Sequence, residues 1–480
     1  MGLHLPPAVA TWLTLGFIAL LFRREFRVQR SAAGALWLPV IWLFLTGSRA
    51  FSDWLNIFGF HVAGAASVQD GSPIDGAVFE VLIALGFYVL YQRRVSLSVI
   101  VRNNRWMTVF LVYGLLAILW SDYPFVALKR WIKDLGTPTM VLIVLTEPDP
   151  EQAVVRLMKY CAYVWVPISI VFIKYYPQWG RGFDQWTGTG ENHGIAGNKN
   201  MLGLDLFIIG ACLVWYLPKV WSSPKSPERR NELLLMALFG YMIFWLFDMA
   251  HSSTSMVSFF IASALMVFLA SSRVNPRYIG AYLLGTVIIG VVAEECFGIY
   301  SAMVQFLGKS PTLSGRTVIW TQLLHVDINP ILGSGYESFW LGEHIKQSFW
   351  PGWSFVPNEA HNAYLDTYLN LGLAGLFLLL GWFIVIYLKA HRDLVDGVNW
   401  GRFRLAFLVA ALFYGWTEAA FRSIDPVYFM IFLIAMDYPR PELAAAAQAA
   451  EPEPSEAGMA LAGAKARSLM ANNQTGIVTN

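Results

Sequence analysis

Charge is scarce in this sequence. Only 14% of its 480 residues are Asp, Glu, Lys or Arg, whereas 56% are hydrophobic and mean hydropathy is +0.50. A soluble globular domain carries about 25% charged residues. Cysteine is nearly absent too. Cys161 and Cys212 fall inside apolar runs, Cys296 approaches the end of one, and no spacing suits a disulfide or a metal. There is no Walker loop, dinucleotide fingerprint, Cys/His cluster or nucleophile elbow. These absences argue against a cytosolic enzyme, a nucleic-acid binder, a disulfide-rich secreted module, an ATP-driven machine and a metallo-hydrolase. No cofactor and no metal are expected. A net charge of +2 selects no partner.

Long apolar runs are abundant. A membrane-spanning helix needs about 20 mostly apolar residues. Candidate runs lie near 7–22, 34–48, 76–91, 107–121, 134–146, 160–176, 201–217, 232–249, 252–271, 278–298, 369–388, 404–420 and 426–437. The expectation is an all-α polytopic membrane protein with 12 or 13 spans. The first run has no basic residue before it and Arg23, Arg24, Arg27 and Arg30 after it, the reverse of a secretory signal. It reads as a retained span with its N-terminus outside. Alternate loops hold 23 of the 34 Lys and Arg residues and the remaining loops 11. Cytoplasmic loops retain Lys and Arg, so the richer set faces the cytoplasm and the other the periplasm of a bacterium. Residues 1–440 are expected to form one membrane domain. Its large periplasmic loop covers about 299–361. Residues 441–480, rich in Ala, Glu, Pro and Ser, read as a disordered cytoplasmic tail.

The cations that remain on the outer side are the residues to explain. Ser314 is a candidate N-cap for a helix starting at Gly315 and running to about His325. Arg316 in its first turn, beside free backbone N–H groups, would suit a phosphate or diphosphate. An ordinary interfacial helix with an Arg–carboxylate pair fits the same pattern. Gly333-Ser334-Gly335 reads as a turn before Tyr336 and the pair Phe339-Trp340. Further on, Asn358 could cap a helix that holds His361 in its first turn, with Leu365, Tyr368, Gly372 and Gly375 near the same face. The positive helix end would keep His361 neutral and fit to act as a base. Gly372 and Gly375 would let a neighbouring helix approach closely. A histidine with a polar partner at the membrane interface is the competing reading. Arg181, His193 and Lys199 occupy another outer loop, and Lys199 could snorkel or bind a lipid phosphate. Lys129, Arg130 and Lys133 form a third outer patch. His251-Ser252-Ser253-Thr254-Ser255 lies between two apolar runs and is expected to face the protein interior.

Three stretches in this order are similar to the O-antigen ligase/polymerase family: Ser314-Gly315-Arg316-Thr317-Val318-Ile319-Trp320, Pro330 to Tyr336, and His361-Asn362-Ala363-Tyr364-Leu365 with Gly372 beyond. Gly194 to Asn200, Trp120 to Pro124 and Gly335 to Trp340 resemble its exopolysaccharide-polymerase branch. The resemblance spans about residues 107–390. It implies a GT-C-like, metal-independent, inverting glycosyltransferase in the bacterial inner membrane, with its active site facing the periplasm. The implied donor is a glycan on undecaprenyl diphosphate. The acceptor is another lipid-linked repeat unit in a polymerase, or a lipid A core in a ligase. Other polysaccharide assembly proteins are possible partners. Arg316 carries over as the diphosphate-binding arginine and His361 as the essential histidine, taking the acceptor proton. Asn362, Ser314 and Tyr336 accompany them as substrate-binding candidates. The family's second arginine is replaced here by Glu191 or His193, so Arg181 or Lys199 is expected to substitute, with Arg130 a further candidate. A lipid-linked oligosaccharide transporter is the alternative from another class. It should carry ionisable groups at mid-membrane.

Overall fold

The computed structural model describes residues 5–28, 34–62, 71–183, 188–298, 316–341 and 357–438. The protein is an all-α, multi-pass membrane protein. Among the described residues one small sheet occurs, an antiparallel hairpin of β1 (Arg181–Phe183) and β2 (Gly190–Asn192). The chain divides after Met436. Ser314, most of the expected large loop and the expected tail at 441–480 lie outside the described residues.

Eight described helices are long and apolar enough to cross a membrane, fewer than the 12 or 13 expected. They are Pro7–Arg27, Pro73–Gln92, Pro150–Tyr175, Lys199–Ser222, Pro227–Ala250, Ser253–Ala270, Pro276–Cys296 and Ala363–Val395. A ninth would be the pair Gly34–Gly47 and Phe51–Ile57, bent by 77°. Part of the shortfall has a physical cause. Gly136–Leu145 and Pro426–Ala435 are helices of only 10 residues. At 1.5 Å per residue each is about 15 Å long, half the hydrocarbon thickness. Every residue of Pro426–Ala435 is buried, and the two short helices pack on each other. Their hydrophobicity serves the protein core.

The bundle is held by side-chain packing. Phe207 stacks on Phe407 at 5.1 Å between ring centroids, and Trp382 meets Phe432 edge-on at 5.0 Å. Lys199–Ser222 packs on Pro227–Ala250 and Ser253–Ala270. The helix Asn399–Thr417 packs against both Ser253–Ala270 and Ala363–Val395. Of the polar stretch after Ala250, Ser252 and Ser255 are buried and share a hydrogen bond at 3.0 Å, while His251 is exposed.

The long helix Ala363–Val395 breaks at Gly372, which has φ 64°. A Cβ there would lie 2.2 Å from the Ile331 carbonyl oxygen. The close approach therefore comes from the 330–335 loop, where a neighbouring helix was expected. Leu373 N–H donates to Pro330 O at 2.9 Å, and Ser334 N–H donates to Leu369 O at 3.0 Å. Gly375 instead faces Leu371 of its own helix. The Trp120 indole donates to Leu332 O at 3.2 Å, and Ser121 and Ser338 hydroxyls meet at 2.5 Å. The Trp120-Ser121 and Gly335-to-Trp340 motifs thus clasp one another and build the platform beside the site.

Candidate active site

A cavity of about 510 Å³ opens where three segments converge. One is the hairpin and the start of the Lys199–Ser222 helix. The second is Pro357 to His361. The third joins Asn399–Thr417 to Pro426–Ala435 and supplies Glu418, Arg422 and Asp425.

Along this cavity charges alternate in sign. Arg316 Nη2 lies 2.7 Å from Glu418 Oε1, and its Nη1 donates to the Thr417 carbonyl. His361 Nδ1 lies 2.9 Å from Glu359 Oε1 and 3.5 Å from Glu418 Oε2. Arg422 Nη1 lies 2.7 Å from Glu359 Oε2. The order is therefore Arg316, Glu418, His361, Glu359, Arg422. The side chain of Arg422 is 47% exposed and borders the cavity, whereas that of Arg316 is 16% exposed and sits behind Glu418.

Local structure fixes these positions. Arg316 opens the helix Arg316–Leu323. The Trp320 indole of that helix donates to Ala360 O at 2.8 Å, next to His361. Ala360 N–H in turn donates to Asp366 Oδ1 at 3.1 Å, which also accepts from the Trp340 indole at 2.9 Å. The cap is Asn362 and not Asn358: its Oδ1 accepts from Tyr364 N–H at 3.1 Å and Leu365 N–H at 3.0 Å. His361 therefore precedes the helix. Its backbone is left-handed, with φ 48°, which turns the imidazole toward the carboxylates.

That placement reverses the expected protonation. Burial favours neutral imidazole, but Glu359 and Glu418 outweigh it and hold His361 up at about 9. The two carboxylates thus favour the imidazolium form over the neutral base expected from the sequence. Burial would also raise the Glu359 carboxyl, yet Arg422 and His361 hold it down at about 2. Asp425 differs. Burial, opposed by Arg422, pushes its carboxyl up to about 7, and its Oδ1 accepts from Val427 N–H at 2.8 Å. Its carboxyl is thus held well above the usual carboxylate range.

Lys199 and His193 both line the cavity. Lys199 Nζ lies 3.4 Å from Glu191 Oε2. His193 Nδ1 is 3.1 Å from Arg49 Nη2 and 3.2 Å from Ala196 O, and burial with Arg49 nearby lowers its pKa. The other candidates lie elsewhere. Arg181 Nε donates to Ile173 O at 2.9 Å, at the end of the Pro150–Tyr175 helix. Arg130 Nη1 donates to Glu337 O at 2.5 Å. Tyr336 is buried, and its hydroxyl donates to Asp134 Oδ2 at 2.8 Å. Each of the three is bonded within the protein, outside the lining of this cavity. Glu418, Arg422 and Asp425 went unpredicted. Their signal was three charges closely spaced between two apolar runs.

Ligand atoms of Glu359, His361 and Glu418 lie within 4.8 Å of one another, close enough to share a metal ion. Both carboxylates also have an arginine within 2.7 Å, so the chain supplies compensating charge at the same atoms.

Comparison with known proteins finds the O-Antigen ligase family model over residues 234–380, the stretch with Arg316, Tyr336 and His361. Over that stretch the chain is similar to the O-antigen ligase family. Exopolysaccharide production protein ExoQ of Rhizobium meliloti (strain 1021) is 24% identical over 290 residues, covering 57% of this chain. The chain spans about 62% of the length of that relative. The family match begins after the hairpin and Lys199 and ends before Glu418, Arg422 and Asp425, so two of the three walls of the cavity come from outside it.

Proposed function

We propose that this protein is a polymerase of bacterial surface polysaccharide or exopolysaccharide. It transfers a glycan from undecaprenyl diphosphate to a hydroxyl of another lipid-linked repeat unit, at the periplasmic face of the inner membrane. The observation that carries this reading is the cavity itself, where Arg316, His361 and Arg422 alternate with Glu418 and Glu359. Two guanidiniums and an imidazole converge there, groups that can be turned from their carboxylates to a diphosphate. The exopolysaccharide production relative points the same way.

A lipid diphosphate is already a good leaving group and needs charge stabilisation more than a proton. Arg422, open to the cavity, and Arg316, released from Glu418, would take its oxygens bidentately. Imidazolium at His361 adds a third positive charge and orients the two carboxylates. The acceptor oxygen attacks the anomeric carbon. The bond from that carbon to the diphosphate oxygen breaks, and its electron pair leaves with the diphosphate. The hydroxyl proton passes to Asp425, whose affinity for it is matched to neutral pH. One displacement inverts the anomeric centre. The guanidiniums neutralise the leaving charge without need of a metal ion.

The ligase reading, with lipid A core as acceptor, shares every step and is favoured by the family description. Replacing Arg316 or His361 by Ala should abolish polymer in cells while the protein stays in the membrane. Normal polymer from either variant would overturn the assignment.

A further inference from the structure

A second large cavity, about 710 Å³, lies at the other end of the Lys199–Ser222 helix. Lys199 lines the first cavity and Lys219 the second, about 30 Å apart at 1.5 Å per residue. Six basic residues line it against three acidic ones. Part of that charge is internally matched. Arg24 Nη2 pairs with Glu232 at 2.6 Å, and Lys159 pairs with the other Glu232 oxygen at 2.5 Å. Arg23, Arg27 and Lys219 are exposed at the rim.

The adjoining crevice is apolar. A narrow pocket of about 60 Å³ shares Lys159, Tyr216 and Glu232 with the basic cavity. It continues between three helices along Ala162, Leu213, Leu235 and Phe239. A basic bowl that leads into an apolar slot matches a phosphate headgroup joined to an acyl chain. A free anion would use only the bowl. Basic pockets between transmembrane helices on the cytoplasmic side hold anionic lipid headgroups.

We propose that this cavity binds an anionic phospholipid of the cytoplasmic leaflet, with the phosphate among Arg23, Arg27 and Lys219 and one acyl chain entering the slot. The site is independent of the transfer reaction proposed above. The test uses the full chain in nanodiscs of phosphatidylcholine, with and without phosphatidylglycerol. Retained lipid is read by native mass spectrometry, and stability by thermal melting.

Wild type should retain phosphatidylglycerol and melt higher in its presence. The Arg23→Gln/Arg27→Gln/Lys219→Gln variant should bind it at least about tenfold more weakly, since each basic residue near an anionic surface contributes about fivefold. Its melting in phosphatidylcholine alone should match wild type, because these side chains are exposed, and the single substitutions should each give a partial loss. Leu235→Trp, which fills the slot and leaves the charges, should also reduce retention. Undiminished phosphatidylglycerol binding by the triple variant would overturn the site. Equal stabilisation by inorganic phosphate, with Leu235→Trp inert, would make it a free-anion site and overturn the lipid assignment.

Discussion

The two ends of the Lys199–Ser222 helix solve different electrostatic problems with the same residue types. At the Lys199 end, cations and carboxylates alternate and each guanidinium has a carboxylate partner. At the Lys219 end, basic residues outnumber acidic ones two to one, and several stand at the rim. An alternating array can hand its arginines to an incoming diphosphate and take them back when the diphosphate leaves. A surplus of positive charge holds an anion continuously. Pairing suits turnover, and excess suits retention.

This contrast can be broken or sharpened by substitution. The largest effect is expected at Arg316 and His361, where Ala should lower transfer by about a thousandfold, as loss of a preorganised charge-stabilising donor does. Lipid retention at the opposite cavity should not change. Asp425→Asn should come next, at about a hundredfold, the lower range for a missing general base. The amide oxygen can still accept from Val427 N–H, so thermal melting should stay near wild type. If that variant is fully active, the proton goes elsewhere.

The pH profile follows from the same two groups. Asp425 must be ionised, so activity should fall as pH drops through about 7. His361 must stay protonated, so activity should fall again as pH rises through about 9. A bell with its maximum between these values is the expectation for transfer measured over that range. A rise that continues past pH 9 would show that neutral imidazole is the working form.

At Arg422 the expected loss is similar to that at Asp425. Ala should cost about a hundredfold, and Lys should recover only part, because an ammonium cannot make the bidentate contact. Equal activity of the Lys and wild-type proteins would remove Arg422 from the diphosphate site. The smallest catalytic effect is expected at Tyr336. Phe there removes one of the two tyrosine hydroxyls that donate to the buried Asp134, leaving that of Tyr428, which should lower stability by about 1 kcal/mol while turnover of the folded fraction stays near wild type. Melting and single-turnover rates on one preparation separate the two.

Much of this was legible in the sequence, for reasons that differ by residue. The long spans were readable because 20 apolar residues have few other uses. The short helices Gly136–Leu145 and Pro426–Ala435 were misread, since hydropathy cannot tell a buried core helix from a span. Arg316 and His361 stood out because flanking motifs matched a known family. The protonation of His361 was not legible. It depends on Glu359, two residues away but turned back on the imidazole at 2.9 Å, and on Glu418, 57 residues away in sequence and 3.5 Å away in space. Arg181 was chosen as a substitute cation for its place in the loop, and the donation of its Nε to the Ile173 carbonyl was not legible there. Arg422 became visible only once folding brought the last loop against Pro357 to His361.

The most direct test gives purified protein lipid-linked repeat units alone, with a chelator present and no ATP. The proposal predicts a ladder of longer lipid-linked glycans that is lost with Arg316→Ala. Transfer only after lipid A core is added would select the ligase reading. No transfer to either acceptor by folded protein would contradict the proposed glycosyl transfer.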